Sequence, residues 1–138
     1  MKILLPVDGS ENSTRAVQLV VKQAAGAKEA PELHLLNVQH PLPGTIRGVA
    51  DQAKQYHHDE GMKALAAARK VLDDAKLAYK YHIGVGDVGE IVAHFVKEIG
   101  ADQVVMGTKG AGAVANMIMG SAATKVLHSV PVPVLLVK

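Results

Sequence analysis

At 138 residues the chain is about the length of one ordinary domain with a sizeable core, and one domain over residues 1–138 is expected. Hydrophobic residues make up 49% of it, yet no apolar run approaches the roughly 20 residues of a membrane helix, and the absence of cysteine excludes disulfides, thiol nucleophiles and thiolate metal sites. The net charge of +2 comes from scattered Lys and Arg, and with one Phe and three Tyr there is neither a basic stripe nor a stacking platform for nucleic acid.

The opening Met1-Lys2 shows no basic, apolar and cleavage regions of a secretory leader, so a cytoplasmic address is expected. Lys2 to Val7 reads as a buried strand running into Asp8-Gly9-Ser10, which delivers one carboxylate at its carboxyl end, where open α/β sheets bind ligands. Ser10 or Ser13 then caps a helix with Ala16, Val17, Val20, Val21 and Ala24 on one face and Gly26 as its stop. Leu33 to Val38 forms a second strand. After it His40-Pro41-Leu42-Pro43-Gly44 breaks the chain, and Gln39 to Val49 is the one long irregular segment, a lid over a site or a mobile connection. A long helix from Asp51 to Lys76 carries Met62, Leu65, Ala68, Leu72 and Ala75 at helical spacing.

Tyr79 to Ile83 is the third strand, and a helix opening near Asp87 buries Ile91, Val92, Phe95, Val96 and Ile99 before stopping at Gly100. The fourth strand, Gln103 to Met106, leads through a glycine-rich loop to a helix that opens at Gly120-Ser121 and buries Ala123, Val126 and Leu127. Val132 to Val137 is the last strand. Pro131 and Pro133 cannot donate ladder hydrogen bonds, which places it at an edge. Strands alternating with amphipathic helices predict an α/β fold, a single open five-stranded parallel sheet with helices on both faces. A reversal of winding beside strand one would bring Asp8 and Gly107 to one crevice.

Gly107, Gly110 and Gly112 permit close backbone approach, and the helix behind Gly120-Ser121 offers unpaired N–H groups and a dipole to an anion, so this stretch describes a phosphate cradle. It is not a Walker A loop, because no Gly-Lys-Ser/Thr ends it; Lys109 is the cation among the glycines. A flexible surface loop ending in an ordinary cap is the plainer alternative. Gly84-Val85-Gly86-Asp87-Val88-Gly89 matches GxGxxG, but it lies in the third βα unit and the position 20 residues beyond Gly89 is Lys109, not an acid; an αL turn with Asp87 as helix cap accounts for it. The seven histidines show no metal pattern. His57 and His58, about 100° apart on a helix, are expected in solvent, and His34 at the surface or capped.

Gly107-x-x-Gly110, nine residues, then Gly120-Ser121 resembles the ATP-binding signature of universal stress proteins. The likeness extends over the whole chain: the opening Ile-Leu-Leu-Pro-Val-Asp-Gly-Ser, the Leu-His-Leu-Leu-Asn-Val strand, the Gly-Asp turn before helix three, Ala-Asp-Gln-Val-Val-Met-Gly-Thr, and the closing Val-Pro-Val-Pro-Val-Leu-Leu-Val. That resemblance implies an adenine-nucleotide-hydrolase-like, Rossmann-like fold holding ATP, or AMP or ADP, with magnesium carried through the phosphates.

Carried over by position, the resemblance implies that Asp8 and the backbone near Val38 contact adenine or ribose, with Pro6 and Val7 lining the adenosine pocket. Met106 and Gly107 close against the sugar, while Gly110, Gly120, Ser121 and the Ala122 amide take the phosphates. Where many relatives place a further basic residue in the loop, this chain has Ala111, Ala113, Ala115 and Asn116, leaving Lys109 as the loop's cation and implying a weaker site. No base is expected in the loop, hence slow or absent hydrolysis. Related proteins pair their last strands across a two-fold axis, which implies a homodimer through Val132 to Val137 and a role in stress response with an unknown protein partner. Two other readings stand beside this one: a nucleotide-free dimeric interaction module, and an adenine-nucleotide hydrolase, although Pro6-Val7-Asp8-Gly9-Ser10 lacks the Ser-Gly-Gly-x-Asp-Ser loop of ATP pyrophosphatases.

Overall fold

Five strands and four helices alternate in the computed structural model, which describes residues 1–42, 50–110 and 119–138. In chain order they are β1 (Lys2–Pro6), α1 (Glu11–Ala25), β2 (Glu32–Gln39), α2 (Ala50–Asp74), β3 (Tyr79–Val85), α3 (Val88–Ile99), β4 (Gln103–Gly107), α4 (Ser121–Ser129) and β5 (Val134–Val137). The strands pair in parallel in the order β3-β2-β1-β4-β5. The chain winds outward from β1 to β3 and returns to β4 beside β1, so right-handed crossovers place α1 and α2 on one face and α3 and α4 on the other.

Alternation along the central strands fills both layers, as period-two geometry requires. Ile3, Leu5 and Val7 pack with Val17, Val20, Leu65 and Leu72 of α1 and α2. Leu4, Leu36, Val104 and Met106 pack with Val92, Val96 and Val126 of α3 and α4. At α1, the Ser10 hydroxyl accepts the Ser13 N–H at 3.2 Å, and Gly26 ends the helix in a right-handed conformation. At α3, Asp87 accepts from the Glu90 N–H at 3.1 Å and Gly100 closes with φ +68°.

Several expectations are corrected. The long helix stops at Asp74 rather than Lys76, because Lys76 turns left-handed (φ +58°) and the Leu77 N–H bonds back to the Leu72 carbonyl. The last strand begins at Val134, not Val132; Pro133 contributes only its carbonyl, to the Val104 N–H, and β5 lies at the sheet edge. Leu127 is 42% exposed, since α4 turns Ala123 and Val126 inward and not the next position. The GxGxxG stretch serves packing: a Cβ on Gly84 would strike Ile91, one on Gly89 would meet Ser129 Oγ at 2.6 Å, and Gly86 has φ +149° rather than an αL value. The lid expected over Gln39 to Val49 falls largely on residues 43–49, outside the described residues.

His57 is buried against expectation, and of the two expectations for His34, surface or capped, the structure shows the capped one. His57, 7% exposed, sits on the inner side of α2 with its ring edge-on to Tyr56. His34, 3% exposed on β2, joins a chain: its Nε2 lies 2.8 Å from Glu32 and its Nδ1 lies 2.9 Å from His82 Nε2 of β3. The contact between the two rings holds one proton. Burial pushes His82 below its usual 6.5, His34 and Lys80 act in the same sense, and Glu98 opposes. The unfolded chain therefore takes up a proton as pH falls through 6.5 while the folded one resists. Stability is full above that value and declines below it. The urea midpoint should drop between about pH 7 and pH 5. His82→Gln, whose amide can donate to His34 Nδ1 but not titrate, should flatten that slope; an equal slope in the variant would contradict this assignment.

Candidate functional site

The reversal of winding between β1 and β4 leaves the carboxyl ends of β1, β2 and β4 open, and a cavity of about 770 Å³ lies there. That is the size of a small-molecule site. One wall is the β1 tip, where Pro6 and Val7 give way to Asp8. The Asp8 carboxylate accepts the Ser10 N–H at 2.9 Å, which bends the chain into α1, and a Cβ on Gly9 (φ +86°) would stand 3.3 Å from the backbone of Ala64 on α2. Beside it the β2 tip presents Val38. Asn37 braces the two tips by donating to the Val7 carbonyl at 2.8 Å and accepting from Gln39 at 2.6 Å.

The opposite wall is the β4 tip and the start of α4, with Met106, Gly107, Lys109, Gly110, Gly120, Ser121 and Ala122 along it. Asn12 of α1, 8% exposed, organises this side. Its Oδ1 accepts the Lys109 N–H at 2.7 Å and its Nδ2 donates to the Val137 carbonyl at 2.9 Å. Gly107 lies directly beneath this amide, where any Cβ would collide with it. The Gly120 N–H donates to the Thr108 carbonyl at 2.6 Å, and a Cβ on Gly120 would stand 3.3 Å from the backbones of Thr108, Lys109 and Gly110. Both ends of the glycine loop are thereby brought together. Gly110 in turn faces Asp8, whose Oδ2 would lie 2.9 Å from a Cβ there.

Unlike α1 and α3, α4 starts without a side-chain cap, at Gly120. The N–H groups of its first turn and its dipole favour an anion at this end of the cavity. Lys109 is joined by two cations that the linear pattern does not single out, Lys63 of α2 and Lys125 of α4. Lys63 pairs with Glu60 at 3.1 Å and Lys125 with Asp87 at 3.3 Å. The Glu90 N–H, and then Lys125, hold the Asp87 carboxyl below its usual range.

All eleven residues singled out from the sequence line this one cavity, Asp8 and Ser121 included. Gly112, Ala111, Ala113, Ala115 and Asn116 lie outside the described residues. Asn12, Asn37, Lys63 and Lys125 were missed. Asn12 sits in a polar run, Glu11-Asn12-Ser13-Thr14, that reads as an exposed helix start, and the lysines lie on helix faces that read as solvated. Among the described residues no group of three or more His, Asp or Glu is placed to hold a metal, and no helix is long and apolar enough to cross a membrane.

A sequence model of the universal stress protein family matches residues 1–138. The universal stress protein in the QAH/OAS sulfhydrylase 3' region of Thermus aquaticus is 30% identical over 141 residues, covering 99% of this chain and 97% of its own. Hypothetical protein MJ0577 superposes with a TM-score of 0.82 at 28% identity, covering 99% of this chain and 94% of that one. The universal stress protein from Archaeoglobus fulgidus in complex with dAMP has the same fold, with a TM-score of 0.71 at 20% identity and coverage of 100% and 98%. Others of this fold were solved with cAMP and with AMP bound. With its full-length match to the family, the chain belongs to the universal stress proteins.

Proposed function

We propose that this universal stress protein binds an adenine nucleotide, ATP foremost, in the cavity between β1 and β4, and works as a dimeric regulatory or signalling protein in the cytoplasm rather than as an efficient enzyme. The observation that carries the reading is the meeting of Asp8 and Val38, at one end, with the glycine backbone and uncapped α4 start at the other. Asp8, Val38, Pro6 and Val7 would receive adenosine, Met106 and Gly107 would close on the sugar, and Lys109, Gly110, Gly120, Ser121 and Ala122 would take phosphate. Relatives of the same fold hold cAMP, AMP and dAMP, which supports an adenine nucleotide as the ligand class. A magnesium ion would arrive on the phosphates.

Turnover is expected to be slow or absent, because the carboxylates near the cavity are already engaged: Asp8 accepts the Ser10 N–H and Glu60 pairs with Lys63. The edge position of β5 and its half-buried Val134 to Val137 support a second copy as the cover for this edge. Sedimentation equilibrium should return twice the chain mass; a monomer would remove the dimer from the proposal.

Mass spectrometry of nucleotide released from the purified protein tests the main reading. ATP is the expected product. AMP with pyrophosphate formed on incubation would favour a hydrolase. No nucleotide, together with no binding of added ATP, would leave an interaction module.

A further inference from the structure

Lys125 stands one turn beyond Ser121 on the same side of α4 and lines the cavity. Its Nζ lies 3.3 Å from Asp87 Oδ1, while Asp87 Oδ2 caps α3 through the Glu90 N–H at 3.1 Å. The spacing between these two groups is set by backbone. Gly89, in the first turn of α3, is so close to α4 that a Cβ would meet the Lys125 carbonyl at 3.1 Å and Ser129 Oγ at 2.6 Å. Lys125 therefore always has Asp87 within reach. Its side chain is 52% exposed and that of Asp87 42%, so the ammonium can swing on its flexible stem.

We propose that Lys125, beside Lys109 of the glycine loop, lets the cavity distinguish nucleoside polyphosphates from nucleosides, held by Asp87 in the empty site and turned to the outer phosphates in the filled one. The inference rests on the adenine-nucleotide reading and adds the phosphate count to it. Phosphates close to the α4 start meet backbone N–H groups first, which hold one or two oxygens. Any further negative charge must be met by side chains. Lys63 is paired within its own helix to Glu60, whereas Lys125 projects from the helix that carries the anion-binding turn. Each outer phosphate then competes with the Asp87 carboxylate for one ammonium, and Asp87 restrains polyphosphate affinity. Loss of Lys125 to the ligand would let the Asp87 carboxyl rise from its depressed value, of which Lys125 is the second cause after the Glu90 N–H.

The test is calorimetric titration of nucleotide-free, full-length wild type, Lys125→Met and Asp87→Asn with ATP, AMP and adenosine. Lys125→Met should weaken ATP about fivefold and leave adenosine unchanged, in keeping with an exposed ion pair. Asp87→Asn keeps an oxygen to cap α3 but releases the lysine, so ATP should bind about two- to fivefold more tightly. Opposite signs separate this role from a structural one, because a pair that merely joined α3 to α4 would weaken binding in both variants. Shifts of the same sign, or none against a normally binding wild type, overturn the role of Lys125 alone. A wild type that binds neither ATP nor adenosine overturns the nucleotide reading and this inference with it.

Discussion

Gly120→Val is expected to abolish ATP binding while leaving a folded protein. A Cβ at this position already stands 3.3 Å from three backbone atoms, the Gly110 nitrogen, Lys109 Cα and the Thr108 carbonyl oxygen, none of which yields as a side chain would. The two further methyls of valine must force the glycine loop away from the first turn of α4 or fill the space a phosphate needs. Each charge-assisted hydrogen bond lost is worth about 1.5–3 kcal/mol, so losing two weakens ATP by about a hundredfold or more. Gly120 has φ −76° and ψ 163°, which valine adopts without strain, so the stability cost is confined to overpacking and a poorer cap, about 1–3 kcal/mol. Calorimetric titration beside thermal unfolding checks both halves. ATP affinity within threefold of wild type would show that the phosphates do not lie against this turn.

The second large effect is expected at Asn12. Truncation to alanine leaves the Lys109 N–H without its acceptor beneath the α1 start, whereas the Val137 carbonyl keeps the Thr108 N–H at 3.0 Å, and an unsatisfied group of this kind costs about 1–3 kcal/mol. Asn12→Ala should therefore lower stability by about 1–3 kcal/mol, read as a lower urea midpoint at unchanged slope. Asn12→Asp retains the acceptor for Lys109 and should lose less. Coupling supplies an internal control: Gly107→Ala collides with the Asn12 amide in the wild type and should be better tolerated once that amide is gone. Additive costs for the two substitutions would contradict the contact.

Most of the fold was legible because its strongest signals are local. Ile3, Leu5 and Val7 against Leu4, or Val104 and Met106 against Val105, alternate between two helix layers, and that alternation reads directly from the chain. Ser10, Asp87 and Gly100 act on their own neighbours and were equally visible. The candidate site was legible for a related reason, since glycine backbone and a helix start need no distant partner to be recognised. What escaped depends on contacts across the chain. Asn12 matters through partners 97 and 125 residues away, and no local pattern announces that reach. His34 looked like an ordinary alternating strand residue until β3 brought His82 against it. Lys125 looked solvated because its relevance comes from which end of the sheet α4 starts at. Leu127 failed oppositely, its helical spacing correct but its side of α4 left 42% exposed among the described residues.

The central claim is that one adenine nucleotide spans the gap from the β1 tip to the first turn of α4. Titrating isotopically labelled protein with ATP while following its backbone amide resonances tests it most directly. The expected result is a single saturating event that shifts Asp8 and Val38 together with Gly110, Gly120, Ser121 and Ala122. Resonances that stay unmoved at saturating ATP, or shifts confined to another face such as the β3 edge, would contradict it.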